Sequence, residues 1–232
     1  AFEPDARGVG DRVVSEHLWW RGLSRVDYVL ATHADADHID GLNDVLKNFR
    51  VAAALVGRAP EGDEEFARFA RTARAARVPL QLVARGDRLR FGAVTVEVLW
   101  PTRAAGPRAT SDNDDSVVLR VTHGRRAFLL TGDAESRAER TLVAAGDPLA
   151  CDVLKVAHHG SRTSSTGGFV NAARPALAVI SVGRDSPYGH PHTEVLTRWR
   201  DAGTQILTTG ERGMITVSTD GEDLKVETFV RP

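Results

Sequence analysis

The sequence predicts an α+β fold, with two stacked sheets and helices on their outer faces. Three observations lead there. Apolar runs of strand length recur along the chain, as at Asp27–Ala31, Val51–Val56 and Asp152–Ala157. Stretches with helical spacing lie between them, such as Phe66, Phe69, Ala70 and Ala73 on one face. Two successive groups of strands with interleaved helices then require two sheets whose outer faces are covered. With 232 residues, 42% hydrophobic and 26% charged, the composition is that of an ordinary globular protein. The length fits one domain over residues 1–232.

Taken in order, residues 1–12 are rich in Gly and charge and read as irregular. Val14, Leu18 and Trp19 are spaced for a helix over Val13–Leu23. A short buried strand, Asp27–Ala31, follows, and Asp40 with Gly41 opens a helix through Phe49. Val51–Val56 is continuously apolar, the pattern of a strand covered on both faces. A helix over Gly62–Arg77 leads to a strand at Pro79–Val83. Gly92 divides Arg88–Phe91 from Val94–Leu99 as a hairpin, and His123-Gly124 divides Ser116–Val121 from Arg126–Thr131 as a second. Between the hairpins, Pro101–Ser111 is a loop of Pro, Gly and Arg. Helices at Ser136–Ala145, before Ala173, and at Thr193–Ala202 alternate with strands at Asp152–Ala157 and Pro175–Val182. Strands at Gln205–Thr209, Met214–Ser218 and Leu224–Phe229 close the chain.

Charge and cysteine use narrow the function. A formal net charge of −1 supplies no global positive field, so any nucleic-acid role needs local cations or metals at a site. The single cysteine, Cys151, has no internal disulfide partner and reads as a small core residue. No segment reaches the roughly 20 apolar residues of a membrane span. Ala1-Phe2-Glu3-Pro4-Asp5 is not a signal peptide and reads as a loop cut from a longer chain.

Four polar clusters each sit just after an apolar strand. The first is Thr32-His33-Ala34-Asp35-Ala36-Asp37-His38, with two His and two Asp in six consecutive residues from His33. Imidazole and carboxylate are divalent-metal ligands, and four so close repel or shift strongly without a cation among them. A solvated turn is the plainer reading, and this density of donors argues against it. The second is Thr131-Gly132-Asp133, where Gly132 permits a sharp turn and Asp133 would otherwise be a helix N-cap. The third is His158-His159-Gly160-Ser161. On extended backbone two adjacent His point opposite ways, so one at most ligates a given metal. Ser161, Arg162, Thr163 and Ser164 follow, before a helix, and make an anion site, with capping by Ser165 or Thr166 as the plainer alternative. The fourth, Tyr188-Gly189-His190-Pro191-His192, offers His190 as a proton donor or phosphate ligand, against a surface loop at equal weight. The cluster Ser111–Ser116 is a turn or brings Asn113 or a carboxylate to the site.

In this order H-x-D-x-D-H, T-G-D, H-H-G-S and Y-G-H-P resemble the metallo-β-lactamase superfamily. More narrowly, they look like the ComEC family, whose C-terminal metallo-β-lactamase-like domain is implicated in bacterial DNA uptake. The carrying stretches are Thr32–Gly41, Ser116–Glu135, Asp152–Ser165 and Ala178–Pro191, and Leu154–Ser161 with Tyr188–Pro191 is the part more specific to ComEC-like chains. The resemblance implies an αββα sandwich with two divalent metal ions along one edge. Carried over, His33 and Asp35 hold the first metal, Asp37 and His38 the second, and Asp133 bridges both. One of His158 or His159 completes the second, with His159 favoured as ligand and His158 as the substrate-facing group.

There are three departures from the family pattern. Asp35 stands where the superfamily has His, which favours manganese, with zinc the alternative. The superfamily's middle His is absent, and Asn113, Asp114 or Asp115 occupies its region, which weakens the first metal site. The family's opening strands, with a G-Q-G-D segment, are not found, so the N-terminal hairpin is expected to be missing and a sheet edge unpaired.

The activity implied is metal-assisted hydrolysis of DNA phosphodiesters, degrading the non-transported strand during natural transformation. Asp37 would orient the attacking hydroxide or ligate its metal. His158 or His190 would protonate the leaving oxygen. Ser161, Arg162, Thr163, Ser164 and Asn113 would hold the phosphate. The partners implied are DNA, single-stranded or one strand of a duplex, read without sequence preference, and the membrane-channel portion of the same polypeptide. By the same analogy this is a soluble, outward-facing domain of a bacterial inner-membrane protein. Two competing readings are a small-molecule ester or lactam hydrolase of the same fold, and a DNA-docking domain with weak catalysis.

Overall fold

The computed structural model describes residues 8–103 and 113–231. The expected loop at Pro101–Ser111 falls largely outside them. The described chain gathers into two compact units, the first running to Val83 and including Arg103, the second holding Ala84–Thr102 and Asn113 onward.

The first unit begins with a π-helical turn, Gly10–Ser15, that runs into the short helix α1 (Glu16–Trp20). Strand β1 (Arg25–Ala31), helix α2 (Ala36–Asn48), strand β2 (Arg50–Val56), helix α3 (Glu64–Ala75) and strand β3 (Leu80–Leu82) follow. The sheet order is β1-β2-β3 and all pairs are parallel. Each connection carries a helix, as parallel strands require. The central β2 is the apolar run read from the sequence, and its Ala53 to Val56 are all buried. Ala54 and Val56 pack with Ile39 and Leu46 of α2, Phe49 just past its end, and Phe69 and Ala73 of α3. Asp63 caps α3 by accepting from the Phe66 backbone N–H. Gly10 meets Gly41 of α2 so closely that a Cβ there would lie 2.2 Å from the Gly41 carbonyl oxygen.

Helix α2 starts at Ala36, four residues before the expected Asp40. The carbonyl of Asp35, held in extended backbone, accepts from the N–H groups of His38 and Ile39. Asp37 in the first turn is favoured by the helix dipole. Asp37 and His38 therefore project from a helix rather than from a loop.

In the second unit, β4 (Arg88–Phe91), β5 (Val94–Trp100), β6 (Val118–His123) and β7 (Arg126–Leu130) form an antiparallel meander. The chain then alternates through helix α4 (Ser136–Ala144), β8 (Val153–Lys155), α5 (Gly167–Ala173), β9 (Leu177–Ile180), α6 (Thr193–Asp201) and β10 (Gln205–Thr208). The sheet order is β10-β9-β8-β7-β6-β5-β4, parallel from β7 to β10. A four-residue helix, α7 (Thr209–Arg212), precedes a separate hairpin of β11 (Ile215–Thr219) and β12 (Leu224–Thr228). Leu129, Leu154, Ala178 and Ile180 pack with Leu142, Phe169 and Trp199 in the core. Because β7, β8 and β9 are parallel, their C-terminal ends share one edge of the sheet, where open α/β sheets place their sites. No helix among the described residues is long and apolar enough to cross a membrane.

Candidate metal centre

The first donor set belongs to the first unit, between the end of β1 and the first turn of α2. The His33 and His38 rings lie 4.3 Å apart between centroids. One hydroxyl orients both: Thr32 Oγ1 is 3.0 Å from His33 Nδ1 and 3.4 Å from His38 Nδ1. With Nδ1 taken up in each ring, Nε2 faces a carboxylate. His33 Nε2 lies 3.7 Å from Asp35 Oδ2, and His38 Nε2 lies 3.6 Å from Asp37 Oδ2. His33 is buried while Asp35 and Asp37 are open to solvent. Thr32 opens the cluster read from the sequence, but it was given no role there. A partner that fixes the other ring nitrogen of a ligating His is a regular feature of metal sites.

The second set lies at the shared edge of β7, β8 and β9. After β7 the chain turns at Gly132, φ +53°, and presents Asp133, only 3% exposed. Ser116 Oγ accepts from the Asp133 N–H, and Lys155 Nζ lies 3.6 Å from Asp133 Oδ1. Asp133 is not the helix cap. Asp114 takes that role, accepting from the N–H groups of Glu135 and Ala138 at the start of α4 and from Arg137 Nε. The Asp114 carboxylate, one candidate to replace the superfamily's middle His, is thus committed to a helix end.

After β8 the backbone is not extended, as the sequence reading assumed. His158 and His159 both have left-handed backbone, at φ +49° and +52°, in the turn Ala157–Gly160. The two rings still take different partners. His159 Nε2 lies 3.5 Å from Asp133 Oδ2, and its Nδ1 lies 2.6 Å from the Ser181 carbonyl oxygen. His158 Nδ1 lies 3.0 Å from Glu135 Oε1. Glu135 Oε1 also accepts from Thr163 Oγ1 at 2.8 Å and from the Asn113 amide at 3.3 Å. Glu135 is a second residue missed by sequence reasoning. Its only signal was its place two residues after Asp133.

Gly160, φ +82°, joins two of the motifs. The His192 N–H donates to its carbonyl at 3.0 Å. That contact brings His190 edge-on to His158, with ring centroids 5.6 Å apart. Burial, then the neighbouring His192, His158 and His159, hold the His190 imidazole below its ordinary pKa. Tyr188, strongly exposed, lies 5.9 Å from His190 between centroids.

The expected anion site is only partly assembled. Arg162 is exposed, and Ser161 Oγ and Thr163 Oγ1 lie 2.9 Å apart. Ser164 is fully buried, and its hydroxyl donates to the carbonyls of Ala157 and Ser161, so it braces the loop. Neither Ser165 nor Thr166 caps α5 with its side chain. Their N–H groups donate to Oε1 and Oε2 of the buried Glu139, at 2.6 and 2.7 Å. Those two N–H groups, just ahead of the helix, are therefore already satisfied.

Together with the αβ architecture, these motif positions define the class of protein. The model of the metallo-beta-lactamase superfamily matches residues 11–184, and the chain belongs to that superfamily. Among curated proteins it is similar to ComE operon protein 3 of Bacillus subtilis, 31% identical over 207 residues, covering 89% of this chain and 26% of that protein. It is also similar to Competence protein ComA of Neisseria gonorrhoeae, 34% identical over 200 residues, covering 84% of this chain and 25% of that protein. The chain thus spans about a quarter of the length of these relatives, which are of the competence type that the ComEC resemblance pointed to. The metallo-beta-lactamase fold protein YhfI from Bacillus subtilis aligns in structure at TM-score 0.53 and 12% identity, over 88% of this chain and 82% of that one. At that identity the likeness bears on the fold, which it supports.

The superfamily implies divalent metal ions, and the donor chemistry fits them. Each donor set pairs imidazole with carboxylate at 3.5–3.7 Å. Two ligand atoms at roughly 2.0–2.2 Å from one ion lie roughly 3–3.5 Å apart, so small side-chain adjustments reach ligand spacing.

Proposed function

We propose that this chain is a divalent-metal-dependent phosphodiesterase that degrades DNA during its uptake. The observation that carries the reading is the His33/Asp35/Asp37/His38 cluster, whose two imidazoles share Thr32 behind them and face carboxylates in front. The competence name of its relative supplies the substrate class.

In this reading His33, Asp35, Asp37 and His38 would be metal ligands on the first unit, and Asp133 and His159 metal ligands on the second. The carboxylate at Asp35 favours manganese over zinc. When bound, such ions supply hydroxide at neutral pH and neutralise phosphate charge. The residues around them do the rest. Thr32 Oγ1 is placed to accept from Nδ1–H of both imidazoles, which would leave Nε2 as the ligand atom of each, and Lys155 offsets the negative charge of Asp133. Arg162 and Thr163, both exposed, line the approach of a backbone phosphate, and phosphate contacts of this kind carry no sequence information. His158, set against a carboxylate, is the proton donor to the leaving oxygen. His190, whose pKa is lowered by burial and by the neighbouring imidazoles, offers a hydrogen bond instead. By the same analogy the chain is an extracytoplasmic domain of a bacterial membrane protein, whose channel portion takes in the other strand.

A substrate panel tests this. With manganese added, linear single- and double-stranded DNA should be cut, while a chromogenic lactam and a carboxylic ester should not. Turnover of the lactam or ester without DNA cleavage would support the small-molecule alternative instead.

A further inference from the structure

Three polar groups converge on Glu135 Oε1. His158 Nδ1 lies 3.0 Å away, Thr163 Oγ1 2.8 Å and the Asn113 amide 3.3 Å. The residue is itself fixed from the backbone up, because its N–H donates to the buried Asp114 at the start of α4. His158 is equally constrained. Its left-handed backbone donates its N–H to the Gly132 carbonyl, and the His190 ring packs edge-on against it. With one edge of the imidazole on Glu135, only Nε2 can turn outward. A carboxylate on Nδ1 is the arrangement that fixes ring orientation and tautomer in catalytic histidines.

We propose that Glu135 is the positioning residue for His158, holding its Nδ1 edge so that Nε2 is aimed at the departing oxygen of the scissile phosphodiester. This rests on the phosphodiesterase reading above. In the step concerned, the bond from phosphorus to the departing oxygen breaks, and the oxygen takes the electron pair. The oxygen of a water molecule bonds to phosphorus, and His158 Nε2 gives its proton to the departing oxygen. The proton released by that water returns to the imidazole through solvent. One water is consumed and nothing is oxidised or reduced.

The role is separable from a brace for the loop by varying the leaving group. A DNA alkoxide is a poor leaving group and needs the proton. The nitrophenolate of bis(p-nitrophenyl) phosphate leaves without it. Wild type, E135A, E135Q and H158A are assayed on both substrates with manganese, and bound manganese is measured in each. E135A should lose about thirtyfold or more in kcat on DNA with little change in KM. It should lose at least tenfold less on the nitrophenyl ester, with unchanged manganese content. E135Q keeps an acceptor oxygen for Nδ1–H and should fall between E135A and wild type. H158A should show the same selectivity for DNA. Equal losses on both substrates, or a loss confined to KM, would overturn the proposal and leave Glu135 as a structural brace. If wild type turns over the nitrophenyl ester and DNA and E135A matches it on both, the proposal fails while the phosphodiesterase reading stands. If wild type turns over neither, that reading falls, and the proposal with it.

Discussion

A methyl group on Gly160 would lie 2.6 Å from Cβ of Pro191, nearer than carbon atoms approach without bonding. The H-H-G-S and Y-G-H-P motifs therefore meet at a point where only hydrogen fits. Gly160 also has φ +82°, where a side chain is strained whatever the space. G160A should destabilise the chain by about 2–4 kcal/mol, from left-handed strain plus overpacking. Urea unfolding should show a lower midpoint at unchanged slope. Because the contact also sets His190 against His158, cleavage of DNA should fall even well below the melting temperature.

Thr32 sits behind both imidazoles of the first cluster, within 3.4 Å of each Nδ1. T32V keeps the shape and removes the hydroxyl. Partners of this kind typically contribute 10–100-fold to metal affinity. Calorimetric titration with manganese should show affinity about tenfold or more weaker, with the metal-free melting temperature changed little. Unchanged affinity would mean that the two rings are oriented by packing alone.

Glu139 is a structural acid, buried at 1% exposure and bonded to the N–H groups of Ser165 and Thr166. E139A leaves both donors without their acceptor beside Arg198, and should cost about 2–4 kcal/mol. Burial pushes the Glu139 carboxyl above its ordinary range, against the pull of those hydrogen bonds and of Arg198. A raised carboxyl pKa costs the folded state stability above the raised value, and the cost is relieved as pH falls through it toward the ordinary value near 4.5. The stability difference between wild type and E139Q should therefore shift toward wild type as pH falls through that window. A difference that is flat with pH would show that the carboxyl titrates alike in both states.

Much of this was legible in the sequence because the signals are local. The apolar run at Val51–Val56 became the buried centre of the parallel sheet, and the spacing of Phe66, Phe69 and Ala73 became the inner face of α3. The two hairpins turned at Gly92 and Gly124 as expected. The dense first cluster stood out because four metal-type donors adjoin one another. What was not legible was carried by contacts distant in sequence. Glu135 and His158 are 23 residues apart, and Glu139 reaches Ser165 across 26. No period or motif connects such pairs until the strands between them are aligned. The left-handed backbone at His158 and His159 was equally hidden, since histidine, although enriched at positive φ, adopts it in only a small minority of cases. The early start of α2 was missed for a local reason, because the donors at Asp37 and His38 read as a loop, although Asp37 is also a good first-turn residue.

The most direct test of the account is cleavage of linear DNA by the full chain with manganese, with H33A and D133A alongside and a chelator control. The account predicts that wild type releases nucleotides, that chelation stops it, and that each substitution lowers the rate by at least about a hundredfold. Cleavage that persists in both variants, or no cleavage with any divalent metal by a folded, metal-loaded chain, would contradict it.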